Sequence, residues 1–235
     1  MPMSSLEICL IDKPIGPTSF AVIRDLRHLY TEQIGRPAPK MGHAGTLDPL
    51  ASGLLLVGVG PGTKRLKDYV GLNKEYLAYV LLGEERTTGD LEGDIIRQKE
   101  VGPVNAAEAA AVLSSLIGIQ RLAVPAYSAV KRGGVPLYKR ARAAAKSGAT
   151  IKTPPRDMEI YQSKLLAPPQ KQGKGVLLKV RFLVSSGTYI RSLAVEVGRR
   201  LGYPATLAGL RRLKVGEFSV TDATVPEAVK FKLPS

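Results

Sequence analysis

The chain predicts an α+β fold, a mixed sheet flanked by helices, on three observations. Strand-like and helix-like segments are interspersed without the strict alternation of a doubly wound parallel sheet. The 235 residues, 44% of them apolar, suffice to bury a full core. No internal repeat or low-complexity linker divides the sequence, so residues 1–235 are expected to form a single domain. The absence of eighteen consecutive uncharged apolar residues excludes a membrane-spanning helix. Met1–Ser5 is too short and polar for a signal peptide, and Cys9, the lone cysteine, cannot form an internal disulfide. A cytoplasmic setting is expected.

Leu6–Ile11 reads as a strand, and Asp12 to Pro17 as a rigid turn into a helix capped at Thr18 or Ser19. Val22, Ile23, Leu26, Leu29 and Tyr30 recur at helical spacing. Leu54–Val59 is a continuous apolar run, expected as a buried strand, followed by a Gly-Pro-Gly turn and a short helix near Thr63–Tyr69. Tyr76–Leu82 is apolar on both faces, as a strand covered on both sides would be. Asn105 and Glu108 form a capping arrangement for an Ala-rich helix ending at Gly118. Leu137–Ser147 reads as a basic helix stopped by Gly148, and Glu159–Leu166 and Val176–Val184 as long strands. Ile190, Leu193, Ala194, Val197 and Leu201 make the apolar stripe of a helix starting near Thr188.

The candidate chemistry centres on Met41–Gly60. There a lone acid, Asp48, lies among Gly42, Ala44, Gly45, Thr46, Ala51, Ser52 and Gly53, small residues that let a backbone bend and a bulky ligand approach. An isolated Asp-Pro ordinarily just opens a turn. Here the buried strand follows at once and anchors the loop to the core.

The net charge of +14 points to a polyanionic partner. Its distribution is uneven. From Ala109 to Arg156 there is no acid, yet Arg121, Lys131, Arg132, Lys139, Arg140, Arg142, Lys146, Lys152 and Arg156 all occur. Solvated helix faces normally mix signs, so this run reads as a phosphate-contacting surface. The basic stretch Ala123–Thr153, with its Pro and Gly, reads as an insertion projecting from the domain.

Several chemistries are excluded. His28 and His43 are the only histidines, too few with one thiol for a metal centre, and His28 reads as a surface residue of the first helix. Gly58 to Lys64 is Gly-rich, but its glycine spacing and lysine placement fit neither a P-loop nor a dinucleotide fingerprint. No Ser-His-Asp set or nucleophile elbow is present. Arg191 falls in the first turn of its helix, where the macrodipole disfavours a cation, so a carboxylate is expected beside it. Asp48 is the expected partner, with Arg191 its counter-charge.

These residues resemble the TruB family of tRNA pseudouridine synthases. The likeness runs in register through Leu10-Ile11-Asp12-Lys13-Pro14 with Gly16 and Thr18-Ser19, Gly42 to Gly53, and Lys74-Glu75-Tyr76. It continues through Pro125, Tyr127 to Lys131, Gly187 to Arg191, and Leu210-Arg211-Arg212-Leu213. The segment before Tyr127 is one residue shorter than the family pattern.

The resemblance implies a pseudouridine synthase fold with a mainly antiparallel sheet. The implied enzyme detaches uracil from a T-loop uridine of tRNA (position 55), rotates it and rejoins it through carbon, without cofactor or metal. Asp48 becomes the catalytic aspartate, attacking the sugar or the base or taking a sugar proton. Tyr76 would lie against the extruded uracil, Tyr189 would line its pocket, and Leu210 would form the pocket wall. His43 would pack into the opened T-loop, Lys13 would support the aspartate loop, and Arg191 would support Asp48. Residues 123–153 become an RNA-clamping thumb whose Lys131, Arg132, Lys139, Arg140 and Arg142 meet the backbone. The small C-terminal RNA-binding (PUA) domain usual in bacterial relatives is not expected here. The implied partner is the tRNA T-stem-loop, met by a monomer without membrane or obligatory protein partner. A binding module without turnover and a guide-RNA-dependent synthase subunit are the competing readings.

Overall fold

In the computed structural model, which describes residues 8–147, 149 and 151–232, the chain runs β1 (Ile8–Lys13), α1 (Ser19–Ile34), β2 (Met41–His43), β3 (Ala51–Val59), α2 (Leu66–Val70), β4 (Lys74–Leu82), β5 (Glu84–Arg86) and β6 (Ile95–Gln98). It continues with α3 (Ala106–Ser114), β7 (Gly118–Ala123), β8 (Lys131–Arg132), β9 (Val135–Pro136), α4 (Leu137–Ala145) and β10 (Pro155–Leu165). The last elements are β11 (Gln170–Gln172), β12 (Gly175–Val184), α5 (Ile190–Arg200), β13 (Ala205–Val215) and β14 (Phe218–Ser219). The fold is α+β, as expected. The described chain forms two compact units, one running to Leu77 and resuming at Leu210, the other Ala78–Gly209.

The first unit is organised around β3. β1 runs antiparallel along one edge, from Ile8 opposite Gly58 to Lys13 opposite Gly53. The other edge takes β2 antiparallel, with His43 opposite Val57, and β13 parallel, with Leu210 opposite Ala51 and Arg212 opposite Gly53. Alternation across the pleat then divides the side chains into two cores. Cys9, Ile11, Leu55, Val57 and Val59 meet Val22, Ile23 and Leu26 of α1, with Val229 and Phe231. Leu54 and Leu56 point the other way, to Ala44 and Val215 with Leu66, Tyr69 and Phe218 packed outside them. A strand covered on both faces has to be apolar throughout, which is why 54–59 reads as an unbroken run. Burial pushes the Cys9 thiol up to about 12, leaving it a small hydrophobe rather than a nucleophile.

Helix α1 begins where its cap predicts: the Thr18 hydroxyl accepts from Ala21 N–H, and Gly35 closes it in the left-handed conformation. β1 continues to Lys13, past the expected start of the turn, because Asp12 and Lys13 still pair with Leu54 and Gly53. Leu6 and Glu7, the expected first strand residues, lie outside the described residues.

In the second unit β10 pairs antiparallel with β7 and with β12, which also carries β11. α3 packs on β10 and α5 on β7. The Ala-rich helix stops at Ser114, four residues before its expected end, because Gly118 at φ +100° already opens β7. Two hairpins, β5–β6 and β8–β9, go unpredicted. The second turns on Gly133-Gly134, both at positive φ, which suits a two-residue hairpin turn. The basic helix α4 spans Leu137–Ala145, and Gly148, its expected stop, lies outside the described residues.

Candidate active site

In the first unit the Asp48 loop is pinned on every side. The Ser19 hydroxyl, buried at the start of α1, donates to Leu47 O (3.0 Å) and accepts from Leu47 N–H (2.8 Å). Gly16 N–H donates to Pro49 O, Ala51 N–H to Asp48 O, and Ala44 N–H to Leu56 O. The deepest support is Arg212, only 1% exposed, whose Nε donates to Leu54 O (2.7 Å) and Nη2 to Gly45 O (3.1 Å). One guanidinium thus ties the loop's entry to the strand that follows it. Asp48 itself is half-buried, at the surface of a rigid bend.

Three other expected site residues surround the same strand. Leu210 stands beside Ala51 on the parallel ladder. Lys13, fully buried opposite Gly53, donates through Nζ to Pro14 O (2.8 Å) and Pro17 O (2.7 Å), and so braces the turn from which Gly16 reaches Pro49. His43 lies opposite Val57; burial, then the Arg212 charge, lowers its pKa, so the ring is neutral at neutral pH. Its Nδ1 is buried without a hydrogen-bond partner among the described residues. Tyr76, on the β4 stretch of this unit, is buried.

Lys74 adds another buried cation, donating to Val70 O (2.6 Å) and Leu72 O (2.5 Å). Burial, then the Arg212 charge, pushes it down to about 8. Between pH 8 and the ordinary lysine value the unfolded chain binds more protons than the folded one, so this contribution to stability is complete above the unfolded pKa and lost as pH falls through about 8. Urea midpoints should therefore rise from pH 8 to pH 9, and Lys74→Met should remove that rise.

The second unit supplies Arg191 and Tyr189. Tyr189 is the residue before α5 and half-buried; Arg191, in the first turn, is buried. A carboxylate does meet Arg191 there: Asp90, 2% exposed, lies 3.6 Å from Nε through Oδ2. Nη1 donates to Thr88 O (2.8 Å) and Nη2 to Tyr127 O (3.0 Å). The Thr88 hydroxyl and Glu92 N–H both donate to Asp90 Oδ1, which fixes that carboxylate. Gly89, at φ +76°, keeps the backbone beside the Arg191 side chain. Each member of the pair also holds hydrogen bonds to its surroundings, as buried charges must.

Lys131, Arg132, Lys139, Arg140 and Arg142 all lie exposed in this unit. In α4 the apolar Leu137 and Ala141 turn inward, and the three α4 bases face solvent. Sequence reasoning missed Ser19, Arg212, Thr88 and Asp90. For the last two a signal existed: Thr87-Thr88-Gly89-Asp90-Leu91-Glu92-Gly93-Asp94 is dense in turn-forming residues. For Arg212 the one signal was its place in the family motif Leu210-Arg211-Arg212-Leu213.

Residues 30–190 match the family described as TruB family pseudouridylate synthase (N terminal domain). A protein of Desulfotalea psychrophila named tRNA pseudouridine synthase B is 41% identical over 217 residues, covering 92% of this chain and 84% of the relative. The chain belongs to the TruB family. It is therefore a pseudouridine synthase, an isomerase. A second TruB-family relative of the same name, from Syntrophotalea carbinolica, is 38% identical over 97% of this chain and 69% of its own length. Among solved structures, a Cbf5-Nop10-Gar1 complex aligns with TM-score 0.63 and 28% identity over 91% of the chain. An H/ACA RNP bound to a substrate RNA containing 2'-deoxyuridine aligns with TM-score 0.60 and 25% identity, also over 91%. The chain spans about half the length of the chains it matches in those two structures.

Proposed function

We propose that this enzyme isomerises the T-loop uridine of tRNA (position 55) to pseudouridine, with Asp48 as its catalytic aspartate and no cofactor. The observation that carries the reading is the Asp48 loop: a half-buried carboxylate on a bend held by Ser19, Gly16 and Arg212. Such a loop offers the acid to a ligand without having to reorganise. The names of the relatives, tRNA pseudouridine synthase B, support tRNA as the substrate.

The reaction breaks the bond between the uracil nitrogen and the ribose, turns the base, and joins its C5 to the sugar; the C5 proton is released to water and the freed ring nitrogen takes up a proton in exchange. The target must first leave its stack, at a cost of a few kcal/mol. Tyr76 and Tyr189 offset part of it, since stacking on an aromatic returns about 1 to 3 kcal/mol per base. Leu210 walls the pocket, His43 enters the opened loop as a neutral ring, and Lys13 braces the turn behind the loop. Tritium release from a T-stem-loop labelled at uridine C5 tests the reading. Release from the target uridine is expected; none from any uridine would leave a binding module.

Residues 123–153 act as a thumb on the RNA backbone, where A-form helices are recognised by shape and phosphate. Each phosphate contact removed flattens log K against log salt by about 0.7 to 0.9. Neutralising Lys139, Arg140 and Arg142 together should therefore reduce the slope by about 2, measured by filter binding at several salt concentrations. An unchanged slope removes the thumb from binding.

In this reading the enzyme works in the cytoplasm, as a monomer, without a protein partner. The likeness to structures of H/ACA complexes favours a second reading, a synthase subunit directed by a guide RNA. Turnover of a naked transcript by the protein alone separates the two.

A further inference from the structure

The most exposed large apolar side chains among the described residues are Phe20, at 74%, and Ile15, at 70%. Both sit beside the Asp48 loop in the first unit. Ile15 lies in the turn whose Gly16 holds Pro49, and Phe20 follows Ser19, which holds Leu47, the residue before Asp48. An aromatic ring this exposed, on a helix fixed to a catalytic loop, has water where a partner would lower the free energy.

The rest of α1 says what that partner is. At 3.6 residues per turn, Arg27, Thr31 and Arg24 fall within about 40° of Phe20 around the helix, whereas Asp25 and Glu32 fall about 120° to 140° away. Arg24, Arg27 and Thr31 are all exposed. Val22 and Leu26, about 160° and 120° from Phe20, and Ile23, about 60° from it, turn into the core. α1 therefore presents a solvent-facing stripe, aromatic at the end nearest Asp48 and basic along the next two turns. Arg24 does touch Asp25, at 3.0 Å, but both side chains are more than half exposed, and an ion pair in that setting is readily exchanged for a phosphate.

We infer that this face of α1 is a second RNA-binding surface, with Phe20 stacking on a base freed when the target uridine leaves its stack and Arg24 and Arg27 meeting the adjoining phosphates. The inference rests on the T-loop reading for the identity of the RNA. Stacking on an aromatic is tolerant of base identity, and arginines on the same helix face hold the strand that carries that base. Arg24 and Arg27 on the same face as Phe20 favour a polyanion that also offers bases to stack on.

The test uses the full chain and an unmodified T-stem-loop. Filter binding gives Kd independently of turnover, and tritium release gives KM and kcat. Phe20→Ala should raise Kd and KM roughly 5- to 100-fold, with kcat at saturating RNA held within twofold. Phe20→Tyr should restore both, and Phe20→Leu should not. Arg24→Gln with Arg27→Gln should flatten the salt slope by roughly 1.5. A native Kd in Phe20→Ala, rescue by leucine, or an unchanged slope would overturn the surface. So would a change in oligomeric state of Phe20→Ala with RNA binding intact, which would mark a protein contact. Absence of tritium release by the native protein is a separate failure, of the isomerase reading alone, since Kd still judges the surface.

Discussion

Asp48→Asn should abolish tritium release, lowering the single-turnover rate by about three orders of magnitude, while the T-stem-loop Kd stays within a few-fold of native. The rate follows from what the side chain must do: asparagine keeps the shape of aspartate but has no charge to attack with and no basic oxygen to take a proton, functions worth about 10² to 10⁴ each. The affinity follows from where the loop gets its shape. Ser19 holds Leu47, Gly16 holds Pro49, Arg212 holds Gly45, and Ala51 bonds the backbone oxygen of residue 48 rather than its side chain. None of these contacts uses the carboxylate, so the bend survives its loss. Thermal melting of Asp48→Asn within a few degrees of native would separate lost chemistry from lost structure.

Gly53→Ala should have the largest effect on stability, lowering it by about 2 to 6 kcal/mol. Gly53 lies at φ +104°, where a side chain costs about 1 to 3 kcal/mol in strain. A Cβ placed there would stand 2.3 Å from Arg212 O and 2.7 Å from Arg212 N, both backbone atoms of the paired strand β13. A strand cannot step aside as a flexible side chain would, so overpacking adds about 1 to 3 kcal/mol more. For a chain of this size that is a melting point lower by roughly 4 to 24 °C. Gly35→Ala is the control: φ is positive there too, at +68°, but nothing lies within 4 Å of the added carbon. It should show the conformational cost alone, and equal losses at both glycines would mean that the approach of β3 to β13 is not tight.

What the sequence makes legible is what neighbours in the chain decide. The α1 cap at Thr18, the inward face of Val22, Ile23 and Leu26, and the buried run Leu54–Val59 all follow from spacing and local hydrogen bonding. So does the exposure of the α4 bases. The presentation of Asp48 on a bend of small residues is legible for the same reason. β13 is not. Its middle, Leu210-Arg211-Arg212-Leu213, has the look of a solvated basic segment, yet Arg212 is among the most buried side chains of the unit. It can be so only because Leu54 O and Gly45 O, 158 and 167 residues away, accept its protons, while Arg211 finds Asp12 across 199 residues.

Asp90 is hidden in the same way. A cation in the first turn of α5 calls for a carboxylate, and Asp90 is one that lies beside Arg191, but the helix dipole gives no reason to name Asp90. The loop that brings Asp90 there is set by Thr88, Gly89 and Glu92; its turn residues are visible in the sequence, but that the turn closing the hairpin β5–β6 leads to Arg191 is not. Long-range satisfaction of buried charge is a property of the assembled fold, and single residues do not announce it.

The central claim, that Asp48 isomerises one uridine in the T-loop, is tested most directly by mapping pseudouridine nucleotide by nucleotide in an unmodified tRNA transcript after incubation with the native protein or Asp48→Asn. The native protein should convert position 55 to completion and no other uridine, and Asp48→Asn should convert none. Conversion elsewhere in the tRNA, or equal conversion of position 55 by Asp48→Asn, would contradict it.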